Sequence, residues 1–230
     1  MEYVYHGSRV HGIKILEPQK STHGNYVYAT SDKIIAIVMA RKNGGDLIYA
    51  FGRMSKDGPY DLVERVPYAF DKMFDTDFSL YTLDASSFKN IHTGFNEVVS
   101  NTEVEVLKEE IYPNLKEEIE KLAIEGKIKI YRYPERPEYI PEDDSDLLVK
   151  AQNNYERKKD CNSRLSEMCR FIFLHPNLES NIREMFPDLE IPSYDEIKEY
   201  YISAKMKEPN HEFWIDSAGK MEEKYKQKVR

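Results

Sequence analysis

Cysteine and tryptophan are scarce in this 230-residue chain, which holds two of the former and one of the latter. Cys161 and Cys169 fall in a segment with helical patterning. Their spacing fits neither a zinc knuckle nor a disulfide framework, so a reducing, cytoplasmic setting is expected. Long apolar runs are also lacking. None nears the roughly 18 residues that a membrane helix needs, and the opening Met1-Glu2-Tyr3-Val4-Tyr5-His6-Gly7-Ser8 lacks a basic, then apolar, signal layout. The expectation is a protein without a membrane segment. Net positive charge is missing too: 33 Lys and Arg stand against 41 Asp and Glu, a formal charge of −8. That weakens any case for tight, sequence-independent binding to a phosphate backbone, which needs clustered Lys and Arg. No His, Cys, Asp or Glu group has metal-ligand spacing, so no metal is expected. Asn43-Gly44-Gly45-Asp46 lacks the Lys-Ser/Thr that would complete a phosphate loop.

What is present describes a folded protein. Hydrophobic residues make up 40 %, aromatic residues 12 % and charged residues 32 %, a globular balance. A chain of this length buries about 72 % of its unfolded surface, enough for a core without staples. Residues 1–112 read as short strands separated by turns: Tyr3–Tyr5, Tyr26–Ala29, Leu47–Phe51, Ser79–Asp84 and Val104–Leu107. Ser31-Asp32 marks a helix start ahead of Ile34, Ile35, Ile37, Val38 and Met39, and residues 53–78 read as irregular with one short helix. Leu115–Ala123 has helical spacing and Ile128–Tyr131 suits a strand. A proline-rich, acidic stretch follows, from Tyr133-Pro134 to Asp143-Asp144, and reads as a linker. Beyond it, about 146–173, 179–186, 193–206 and 216–227 are helical. The expected fold class is therefore α+β: a twisted, mostly antiparallel β core in residues 1–132, then an all-α extension over 142–230.

Three clusters carry candidate chemistry. His6-Gly7-Ser8 ends the first strand; glycine lets backbone approach a ligand, and the imidazole and hydroxyl supply hydrogen bonds. The same residues also suit a plain strand-ending turn. In the second strand, alternation puts Tyr26 and Tyr28 on one face, where a ring could stack on a flat ligand or belong to a core. Glu97, among apolar neighbours before a strand, suits a carboxylate held partly desolvated against a ligand, or an ordinary surface glutamate. Elsewhere, the Glu64-Arg65 ion pair with the aromatic segment to Phe70 reads as lining the same cleft or as packing plus solvated charge, His175 as a helix terminator, and His211 near Trp214 as surface packing.

Taken in order, these three clusters resemble the His-Tyr-Glu arrangement of the diphtheria-toxin-like ADP-ribosyltransferases, over roughly residues 1–112. The resemblance implies NAD as substrate and cleavage of its nicotinamide–ribose bond, by transfer to an acceptor or by hydrolysis. It assigns His6 to the ribose beside nicotinamide, Gly7 and Ser8 to the pocket floor, Tyr28 or Tyr26 to stacking on nicotinamide, and Glu97 to the ribose 2′-hydroxyl and the transition state. Such a carboxylate opposes the oxocarbenium-like charge that develops as the bond breaks. Members that modify arginine often carry Glu or Gln two positions before the catalytic glutamate. Phe95 stands there, leaving the acceptor open among protein, nucleic acid and small molecule. Arg9, Lys14 and Arg41 are too scattered for the cationic site of the related RNA 2′-phosphotransferases. The alternative is a non-catalytic binding module that keeps the fold.

Overall fold

The computed structural model of the chain describes residues 2–21, 24–42, 47–91 and 96–203. Its elements run β1 (Tyr3–Ser8), β2 (Ile15–Leu16), β3 (Gln19–Ser21), β4 (Gly24–Ala29), α1 (Lys33–Met39), β5 (Tyr49–Gly52), β6 (Tyr60–Glu64), α2 (Ala69–Met73), β7 (Phe78–Asp84), β8 (Val98–Ser100), β9 (Val104–Tyr112), α3 (Leu115–Ile124), β10 (Ile128–Tyr131), α4 (Leu147–Arg157), α5 (Cys161–Leu174), α6 (Glu179–Met185) and α7 (Tyr194–Ser203). They form two compact units: Met1–Asn43 with Met73–Ile128, and Gly44–Lys72 with Lys129–Arg230. The division is not linear along the chain, because residues 44–72 fold with the later segments. Asn43-Gly44-Gly45, Phe95, His211, Trp214 and the helix expected over 216–227 lie outside the described residues.

The first unit is organised by an antiparallel sheet ordered β1-β7-β9-β2 and a second, β3-β4-β8. Tyr5 and Thr30 exchange both backbone hydrogen bonds, at 2.7 and 3.0 Å, tying the middle of β1 to the end of β4. That bridge curls the strands around a core of Val4, Leu16, Val27, Ala29, Tyr81, Leu83 and Val104. The two tyrosine-rich strands belong to separate sheets, which that isolated bridge ties together. Asp32 caps α1 by accepting from the Ile34 N–H at 2.9 Å. Its buried residues Ile35–Val38 hold the helix down. A Cβ on Gly7 would stand 1.9 Å from the Ala36 carbonyl oxygen, so only glycine in β1 admits α1 this closely.

The second unit joins the sheet β10-β6-β5 to the C-terminal helices. Strand β6, Tyr-Asp-Leu-Val-Glu, is buried along its whole length within the stretch expected to be irregular. Asp61 and Glu64 broke the apolar pattern that would have revealed it. Both are buried because distant partners receive them: Tyr139 donates to Asp61 at 2.7 Å, and the N–H groups of Phe70 and Tyr133 donate to Glu64 at 2.7 and 2.9 Å. The single helix expected over 146–173 is two, α4 and α5; Asp160 between them caps α5 through the Ser163 N–H at 2.8 Å. Leu147, Ala151, Met168, Phe171 and Ile172 are buried, and burying a leucine, methionine or phenylalanine side chain fully is worth about 1.5–3 kcal/mol.

Candidate functional site

In the first unit, a pocket of about 130 Å³ is lined by Tyr5, His6 and Gly7 of β1, Tyr28 and Ala29 of β4, Thr30, Glu97, and Ile35, Ala36 and Met39 of α1. The pairing explains the convergence. Tyr5 bridges Thr30, which brings His6 beside β4, and the β4–β8 register pairs Ala29 with Val98, placing Glu97 next along from the end of β4. Residues 6, 28 and 97 thereby face one cavity. A dry cavity of about 150 Å³ holds one benzene ring, so this volume suits a single flat ring.

His6 Nδ1 lies 2.8 Å from the Tyr28 carbonyl oxygen. A carbonyl only accepts, so Nδ1 carries the proton and the neutral ring presents Nε2 as an acceptor. Burial pushes the His6 pKa down, against the opposing hydrogen bond to Tyr28, and keeps the ring neutral at pH 7. Among the described residues His6 makes no other hydrogen bond, so Nε2 can accept from a ligand hydroxyl. The Tyr28 hydroxyl is buried without a hydrogen-bond partner among those residues. Leaving such a group unpaired costs about 1–3 kcal/mol.

The other expected site residues are placed differently. Gly7 lines the pocket, but its missing side chain serves the contact with Ala36. Ser8 is not in the lining; its Oγ accepts from the Val10 N–H at 3.1 Å. Tyr26 is also outside the lining and meets Tyr28 edge-on, ring centroids 6.1 Å apart. Of the two tyrosines left open by the sequence, Tyr28 is the one at the cavity.

Sequence reasoning missed a second polar cluster. His11 Nδ1 lies 2.7 Å from Ser79 Oγ, and His11 Nε2 lies 2.9 Å from Asp77 Oδ2. The order Asp-His-Ser suggests an acyl-transfer triad, but Ser79 is fully buried and donates its proton to Glu109 at 2.7 Å. It therefore accepts from His11 and is no nucleophile. Glu109 also accepts from the Gly12 N–H at 2.8 Å and from the Tyr81 hydroxyl at 3.0 Å; these bonds, Gly12 foremost, hold its carboxyl below the usual range. The network fastens the segment after β1 to the sheet. Its members lie far apart in sequence, so no local pattern signals it.

In the second unit Arg65 and Glu64 are buried, not solvated, and serve different partners. Arg65 donates to Asp144 at 2.8 Å and to Asp146 at 3.0 Å. Arg136 donates to both oxygens of Asp144, and His175 Nδ1 lies 3.2 Å from Asp144 Oδ2. The stretch read as a linker thus contributes a fully buried carboxylate. Beside it, a pocket of about 270 Å³ is lined by Arg65, Asp146, Asp61 and Tyr139, already paired among themselves. A groove of about 470 Å³ between α5 and α7 is walled by Leu165, Cys169, Ile197 and Tyr200. Burial pushes the Cys169 thiol up, which makes it a poor nucleophile.

Among the described residues, no group of three or more His, Cys, Asp or Glu is arranged to hold a metal ion, and no helix is long and apolar enough to cross a membrane. In comparisons with protein-family models, curated proteins and solved structures, nothing matches this chain.

Proposed function

We propose that the chain cleaves the nicotinamide–ribose bond of NAD, transferring ADP-ribose to an acceptor or to water, at the pocket formed by His6, Tyr28 and Glu97. The observation that carries this reading is convergence: three side chains singled out from separate segments line one small cavity. Tyr28 stacks on nicotinamide. His6 Nε2 accepts from a ribose hydroxyl, and its fixed tautomer orients the sugar. Glu97 bonds the 2′-hydroxyl and opposes the positive charge on the ribose as the C1′–N bond breaks. Nicotinamide leaves with the bonding electron pair, neutral; water or an acceptor nucleophile adds at C1′ and loses a proton.

The test is incubation with labelled NAD, with and without cell extract, following nicotinamide release and label transfer. Glu97→Gln keeps the shape and removes the charge, so turnover should fall by on the order of 10²-fold or more while NAD affinity changes little. Turnover undiminished in Glu97→Gln overturns the assignment. NAD binding without turnover in the unaltered chain favours the non-catalytic module, for which a cavity of one ring's volume is also sufficient.

A further inference from the structure

A cation stands next to one of the pocket's lining residues, and neither the sequence patterning nor the proposed reaction uses it. Lys33 opens α1, the helix whose Ile35, Ala36 and Met39 line the cavity. Its Nζ lies 4.8 Å from the ring centroid of Tyr5, another lining residue. Among the described residues Lys33 makes no ion pair, whereas Lys108, Lys121 and Lys127 are paired with Glu110, Glu118 and Glu125. A ring face holds an exposed ammonium by about 0.5–1 kcal/mol without cancelling its charge. The adjacent Asp32 carboxylate is occupied in capping the Ile34 N–H. In a chain of net charge −8, Lys33 is thus a positive group without an ion pair among the described residues, held against Tyr5, which lines the pocket.

We propose that Lys33 is the anion-recognising residue of this pocket and that its ligand is a phosphate-bearing nucleotide. The identity of the ring rests on the NAD reading above, but the anion preference does not. A cavity of about 130 Å³ takes the ring alone, so the rest of a nucleotide lies on the residues framing it, where Tyr5 holds Lys33. The two charged residues then give the ligand a direction. The Glu97 carboxylate repels phosphate and favours the end where positive charge develops, and the Lys33 ammonium favours the phosphate end.

The experiment is calorimetric titration of the full chain with NAD, nicotinamide mononucleotide, nicotinamide riboside and ADP-ribose at low and high salt. It compares the unaltered protein, Lys33→Gln and, as a control for net charge, Lys121→Gln on α3. Lys33→Gln should weaken the phosphate-bearing ligands roughly fivefold, leave the riboside unchanged and flatten the salt dependence. Lys121→Gln should bind as the unaltered chain does. ADP-ribose binding that depends on Lys33, with the nicotinamide compounds inert, would end the NAD reading and uphold this one. Equal affinity in Lys33→Gln, an equal loss for the riboside or in Lys121→Gln, or no binding of any phosphate-bearing ligand overturns it.

Discussion

His6 and His175 are both largely or wholly buried, yet their surroundings differ in one respect. His175 is fully buried with both ring nitrogens facing acceptors, Asp144 Oδ2 at 3.2 Å and the Leu47 carbonyl at 2.7 Å. Asp144 in turn receives Arg65, Arg136 and His175. Nothing in that cluster awaits a partner. His6 has one nitrogen bound, to the Tyr28 carbonyl, and its ring lines a pocket where the other nitrogen can meet a ligand. Buried polar groups are almost always paired. A complete cluster therefore reads as structure, and an incomplete one on a cavity reads as a place for a ligand.

The largest expected effect breaks the complete side. Asp144→Ala leaves the buried Arg136 without its carboxylate and Arg65 with Asp146 alone, and uncompensated buried charge costs about 3–5 kcal/mol. Urea unfolding of the full chain followed by circular dichroism should show that loss, and a change under 1 kcal/mol would mean that the cluster is not as paired as described. Acid gives the same result by another route. Burial alone would raise the Asp144 pKa, but hydrogen bonds and charge from His175 and Arg136 outweigh it and hold the carboxyl far below the ordinary range. The sign follows: a depressed folded pKa adds stability above the unfolded value, and that stability is lost as pH falls below about 4 toward the folded value.

Gly7→Ala comes next. The new Cβ would sit 1.9 Å from the Ala36 carbonyl oxygen, a backbone atom that cannot swing aside, so α1 must shift. A destabilisation of about 1–3 kcal/mol is expected, together with a wider pocket. Retained stability would show that α1 is not seated on β1. A smaller effect sharpens the contrast from the incomplete side. Tyr28→Phe removes a buried hydroxyl that has no partner among the described residues, so thermal stability should hold or rise by up to about 1 kcal/mol. A clear loss of stability would place a partner on that hydroxyl. Smallest is the effect of His6 on pH dependence. Its pKa is lowered by burial, so the unfolded chain takes up a proton that the folded chain refuses, and stability declines as pH falls below about 6.5. Replacing His6 with Asn should flatten that limb of the unfolding profile.

The sequence made legible whatever depends on local pattern. Alternation found β1 and β4, the Asp32 cap located α1, and apolar spacing found α3. It missed β6, whose Asp61 and Glu64 are buried only because Tyr139 and the chain at residue 133 come back to meet them. It treated the 133–144 stretch as a linker for the same reason: acidity signals solvent unless the arginines that bury it are known, and Arg65 lies 79 residues from Asp144. His6, Tyr28 and Glu97 were readable as types in context; that they face one cavity depends on the Tyr5–Thr30 bridge and the β4–β8 register. The family resemblance assigns Ser8 and Tyr26 to the site, and neither lines the cavity.

The central claim is that His6, Tyr28 and Glu97 act on one NAD molecule, and a crystal structure of the Glu97→Gln chain with NAD bound tests it most directly. The account predicts nicotinamide against the Tyr28 ring, with a ribose hydroxyl on His6 Nε2 and the residue 97 side chain at the same sugar. NAD seated elsewhere, or residue 97 more than about 10 Å from the His6 imidazole, farther apart than two groups acting on one ribose can stand, would contradict it.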